Sequence, residues 1–193
     1  MRTPFFLAAT LTTALAAFAV QAAEDMTPVM QAYLDSDVRP WATDPIIIDA
    51  LVAANATTAS LSAAEIDAMD KQWRAEIGGG ATPTITPVVE GAVADFLRSK
   101  LGASGGVVTE IILMDAVGLN VAATEITSDM WQGDEAKHQE TFAVGADAVH
   151  LGDIEFDEST QTYQANISMT ITDPETGEPL GALTVAVNAE ALL

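Results

Sequence analysis

Two histidines, no cysteine and 28 acidic residues restrict the chemistry open to this 193-residue chain. A Ser-His-Asp site needs histidine as its base, and only His138 and His150 are present. Neither sits in a nucleophile motif, and G-x-S-x-G, P-loop and dinucleotide-type glycine patterns are all missing. The lack of cysteine removes thiol catalysis, zinc-thiolate sites and iron-sulfur clusters. Two acidic groupings have the spacing to approach a metal: Asp153, Glu155 and Asp157, and Asp134, Glu135 and His138. Alternate residues of a strand share one face. Calcium, however, takes roughly six to eight oxygens, and no Asp-x-Asp-x-Asp-Gly loop with a terminal Glu accompanies these carboxylates. A solvated acidic strand edge accounts for them more simply. The residues predict neither a catalytic site nor a cofactor.

Residues 128–138, SDMWQGDEAKH, differ in kind. Trp131 stands among polar residues two before Gly133, which is not the pattern of a core helix. Its ring either only fastens the segment to the rest of the fold or forms one wall of a small-molecule pocket. Pockets combine apolar lining with a few convergent polar groups. Trp131, Asp129 and Lys137 of this segment, with Met114, Ser168 and Thr170 of the strands, would supply that combination as ligand-binding residues. Lys137 is one of only six cations after residue 23. It is expected to pair with Asp134 or Asp129, or to hold an anionic ligand.

These residues need a scaffold. Residues 1–23 carry one charge, Arg2, then an apolar run and small residues, the order of a cleaved secretory signal peptide. That run is short against the ~20 residues of a bilayer span, and no second run approaches it, so no membrane insertion is expected after cleavage and the location is periplasmic or secreted. With Arg2 removed, six Lys+Arg face 28 Asp+Glu, a formal charge of −22. Such a chain is repelled by phosphate backbones, which argues against nucleic acid as a partner. Hydrophobic residues make up 49% of the sequence, too many for a disordered chain. Residues 24–193 are read as a single domain, helical over 24–101 and a sheet over 102–193.

In the helical part, Met26, Val29, Met30, Tyr33 and Leu34 form one stripe, with Arg39-Pro40 expected to stop the helix. Thr43 or Asp44 caps a second helix beginning at Pro45, with a break over 55–60. Ser62 and Glu65 are spaced as a capping box for a third, with Ile66, Met69, Trp73 and Ile77 turned inward. A continuous helix is expected over 88–100. Strands are expected at 107–114, 119–124, 148–156, 161–172 and 180–187, with Ser128 or Asp129 opening a polar helical segment after the second. The result is an α/β domain, N-terminal helices packed on a five-stranded antiparallel PAS-like sheet.

Asp115-x-x-Gly118, Ser128-Asp129-x-Trp131 and Asp173-x-x-Thr176-Gly177 followed by Gly181 resemble extracytoplasmic sensor domains of the Cache (PDC, PAS-like) family, and the resemblance spans residues 44–192. Trp41, Asp49, Asn55 and Trp73 resemble the helices that precede the sensor sheet in bacterial chemoreceptors. The resemblance implies binding of a small molecule such as an amino acid, organic acid or amine. It also implies a signal passed to a membrane receptor or kinase, here by a stand-alone periplasmic form. Members that recognise amino acids carry Arg-x-Trp-Tyr where this chain has Glu135-Ala136-Lys137-His138, so no particular ligand is implied. Two other readings stay open: a structural or interaction protein with a vestigial pocket, and a metal-assisted hydrolase.

Overall fold

A computed structural model describes residues 26–158 and 161–193; the expected signal peptide lies outside them. The first helix, α1 (Met26–Tyr33), does not stop before Pro40. It widens into a π-helical turn (Leu34–Val38) and continues as α2 (Arg39–Ala42), with Pro40 in its first turn. The wide turn lets the Arg39 N–H reach the Leu34 carbonyl, and proline's missing N–H is tolerated at a new helical start. Asp44 caps α3 (Pro45–Thr58), its carboxylate accepting from the Ile46 N–H at 3.1 Å. That helix runs through the expected break at Asn55, whose side chain joins the Ala116 N–H to the Leu180 carbonyl.

The Ser62–Glu65 capping box opens α4 (Ala63–Glu76). Trp73 is buried, but the helix ends before Ile77, which is exposed. Glu76 turns inward instead and accepts from the Thr84 and Ile85 N–H groups at 2.8 and 3.0 Å. The helix expected over 88–100 is two helices, α5 (Thr86–Val89) and α6 (Ala92–Ala103), parted at Gly91, whose φ of +111° suits glycine.

The strands are β1 (Val108–Asp115), β2 (Asn120–Ala123), β3 (Val149–Leu151), β4 (Glu155–Asp157), β5 (Thr162–Thr172) and β6 (Pro179–Asn188). All pair antiparallel, in the order β2-β1-β6-β5-β3, with β4 also on β5. The single strand expected over 148–156 is therefore two short ones sharing β5's outer edge, and the sheet has six strands rather than five. The α/β class and the antiparallel sheet stand as expected.

Strand alternation sends β1 to two cores. Ile111 and Leu113, with Ile167, Ile171, Leu183 and Val185, pack against Met30, Leu34, Leu51 and Leu97 of the helices. Ile112 and Met114 face the other way and meet Trp73, Ile85, Val88, Leu119 and Met130. The helices thus cover one face of the sheet fully, and α4 and α5 reach part of the second. The remainder of that second face holds the candidate site.

Candidate functional site

On the second face, the ladder aligns His150 with Ser168, Ser168 with Thr184 and Thr184 with Ile112. The next row runs from Thr170 through Ala182 to Met114. Ser168 and Thr184 are buried, and their hydroxyls bond each other at 3.0 Å. Thr170 is also buried, and its Oγ1 has no hydrogen-bond partner. A central sheet face in a chain this rich in Val, Leu and Ala is thus polar where burial alone would make it apolar.

The segment 128–142 lies over this row. No helix starts at Ser128 or Asp129; one turn forms at α7 (Ala136–Gln139), which contacts β5 and β6. The reason is that Asp129 has other partners: Arg74 at 3.1 Å and the Gln132 side-chain amide. Backbone bonds tie the segment to the β1–β2 hairpin instead. Asn120 N–H donates to the Met130 carbonyl at 2.9 Å and Gln132 N–H to the Gly118 carbonyl at 2.7 Å. Gly118 has φ +86°, and a Cβ there would lie 2.5 Å from the Gly133 Cα. Only glycine permits this approach.

Trp131 is half-buried against the second core; its indole N–H donates to the Val117 carbonyl at 2.8 Å and its ring covers Gly133. The N–H groups of Met130 and Trp131 donate to Asp70 of α4 at 2.9 and 3.2 Å. Burial would raise the Asp70 carboxyl, but Arg74 and these N–H groups outweigh it and hold it below the usual carboxylate range. Lys137 bonds Gln132 at 3.0 Å and Glu135 at 3.0 Å, not Asp134 or Asp129. Glu110 of β1 feels Lys137 as well: burial raises its carboxyl, and the Lys137 charge partly offsets this.

The six residues singled out in the sequence therefore share one face of the sheet or its cover, in two groups. Trp131 and Met114 meet in the second core, whereas Ser168 and Thr170 lie farther across the sheet beneath α7. Glu110, His138, His150 and Thr184 belong to the same region and were not singled out as lining. His138 is buried, stacked on Phe142 at 5.2 Å, with Nε2 3.2 Å from the Asp115 carbonyl. Burial depresses its pKa against the pull of that carbonyl. Neighbours of β5 two residues apart would have exposed Thr184 from sequence only if the strand register were known.

Two cavities among the described residues lie away from Trp131, Asp129 and Lys137. One, of about 230 Å³, lies on the helix side of the sheet between α1, α6 and β1. The other, of about 170 Å³, lies at the β5 edge and includes Thr170, Thr172, Arg39 and Asp147. No three His, Asp or Glu side chains come together to hold a metal ion among the described residues, so Asp153, Glu155 and Asp157 do not form such a group. No single helix among them is long and apolar enough to cross a membrane.

No family model matches the chain, and no curated protein matches it. Solved structures do. The chain is similar to the sensor domain of the Vibrio cholerae histidine kinase DctB, at 13% identity and a TM-score of 0.43, covering 93% of this chain and 58% of that one. It is similar to the ligand-binding domain of the Pseudomonas aeruginosa amino acid chemoreceptor PctC in complex with GABA, at 12% identity and a TM-score of 0.42, covering 92% and 61%. It is also similar to the Escherichia coli DcuS sensor domain, at 11% identity and a TM-score of 0.48, covering 86% and 95%. The chain spans about three fifths of the length of the first two.

Proposed function

We propose that this chain is an extracytoplasmic small-molecule sensor domain of the Cache type, which passes ligand occupancy to a membrane receptor or kinase. The observation that carries the reading is the buried polar row of Ser168, Thr184 and Thr170 beneath the cover formed by residues 128–142. A buried hydroxyl without a partner costs about 1–3 kcal/mol, and a ligand that bonds it would remove that cost. Trp131 and Met114 supply the apolar wall, and Asp129 and Lys137 the rim. A Lys137 released from Glu135 would hold an anionic group. Because the cover rests directly on the sheet, binding selects a state in which α7 has lifted.

The same close seating favours a second reading, an interaction or structural protein whose pocket is vestigial. A thermal-shift screen of the full chain against carboxylates, amino acids, amines and purines separates the two, since a ligand bound only to the folded state raises its melting temperature. A shift that disappears in Trp131→Ala and weakens in Lys137→Ala supports the sensor. A broad library that moves nothing leaves the interaction protein.

A further inference from the structure

Across the sheet from that face, the cavity of about 230 Å³ is lined by Tyr33, Asp37, Trp41, Lys100, Val108 and Ile111, among others. Its floor is apolar, because Val108 and Ile111 belong to the first core. Two of the lining residues also meet Phe96, which lies outside the lining: Trp41 edge-on with centroids 6.2 Å apart, and Lys100 with its Nζ 4.7 Å from the ring centroid. The π-helical turn brings Tyr33, Asp37 and Trp41 to one side of the first helix.

Two contrasts single this place out. Arg39, Lys71, Arg74, Arg98 and Lys137 each form an ion pair, whereas Lys100 forms none among the described residues, in a chain with 28 acidic residues to choose from. Trp73 and Trp131 each donate their indole N–H to a carbonyl, at 2.8 Å in both cases, whereas Trp41 donates to nothing among the described residues. The Tyr33 hydroxyl has no bond there either, and burial, then the Asp37 charge, raises its pKa and keeps it a donor. Lys100, Trp41 and Tyr33 thus bring three donors with no hydrogen bond or ion pair among the described residues to a cavity with an apolar floor. The one carboxylate, Asp37, is exposed at the mouth and bonded by Ser36.

The geometry points to a second ligand site here, for a small monocarboxylate with an apolar ring or chain. Lys100, Trp41 and Tyr33 would bind the carboxylate, with the body of the ligand on Val108 and Ile111. The volume equals the liquid share of roughly eight water molecules, which suits an acid of benzoate or hexanoate size. The site lies on the opposite face from the polar row and does not depend on the sensor reading.

Isotope-labelled full chain gives three indole N–H resonances, one for each tryptophan. The probes are benzoate, phenylacetate and hexanoate, with benzylamine as the cationic control. The expected result is a saturable shift confined to the Trp41 resonance, assigned with Trp41→Phe. Lys100→Met, which keeps the stem over Phe96, should weaken it at least tenfold, while Trp131→Ala and Lys137→Ala leave it unchanged. The site is overturned if none of the three acids shifts Trp41, if benzylamine shifts it equally, or if Lys100→Met binds benzoate as well as the parent chain. Loss of benzoate binding in Trp131→Ala, with the Trp41 resonance otherwise intact, would move the ligand to the covered face and equally remove this site.

Discussion

Trp131 and Thr170 pull single-residue energetics in opposite directions. The Trp131 ring holds Gly133 and its N–H satisfies Val117, so Trp131→Ala should destabilise by about 3 kcal/mol, the lower end of the range for a large aromatic because the ring is only half-buried. Trp131→Phe keeps most of the ring and should cost about 1 kcal/mol for the lost bond. Urea denaturation measures both. Thr170 carries a buried hydroxyl with no partner, so Thr170→Val should gain about 1 kcal/mol in the same assay. It should also weaken any ligand found in the screen; a stabilised variant that still binds would detach Thr170 from the site. Trp131 stands out in the sequence because an aromatic amid polar residues, two before a glycine, has no place in a simple core helix. Its bond to Val117 does not, since a hairpin carbonyl 14 residues earlier leaves no mark on side-chain pattern.

The elements explain the pH dependence. Burial raises the Glu76 carboxyl, but Gln72 and the N–H groups of Ile85 and Thr84 outweigh it and hold it at about 2. A carboxyl depressed on folding stabilises above its unfolded pKa, and that stability fades as pH falls from roughly 4.3 towards about 2. Glu76→Gln should flatten the loss in that window and loosen the junction of α4 with α5 at neutral pH. His138 acts in a separate window. Burial lowers its pKa, so the unfolded chain binds the proton more readily, and stability should fall as pH drops below roughly 6.5. His138→Gln should remove that slope; melting temperatures from pH 8 to 3 test both. Local signals with one cause were readable: Asp44 before Pro45, the Ser62–Glu65 box, the Gly118 hairpin. Features fixed by competition between partners were not. Pro40 suggested a stop where a π turn absorbs it, and Asp129 suggested a cap where Arg74 already holds its carboxylate.

For the molecule as a whole, charge dominates. At a formal −21, like charges repel over the whole surface, and exposed ion pairs contribute only about 0–1 kcal/mol each. Added salt should therefore raise the melting temperature, since it screens more repulsion than attraction. A scan from 20 mM to 0.5 M NaCl, on the scale of Debye lengths from tens to a few ångströms, should show a steady rise; a fall would mean that the ion pairs outweigh the net charge. Chain-wide charge and the split between helices and sheet were plain in the sequence, because composition and periodicity report them without any knowledge of pairing. The cover over the second face is fastened at two places, around Trp131 and again where His138 lies against the Asp115 carbonyl and Phe142 packs on the second core. Around Trp131 it is bonded to the hairpin and, through Asp70 and Asp129–Arg74, to α4. Its far end runs out through the exposed Val144 to Asp147, which adopts φ +63°. Were the cover to lift on ligand binding, as proposed, the strain would fall on Asp70 and on Asp129–Arg74, and α4 would be the helix to carry it outward.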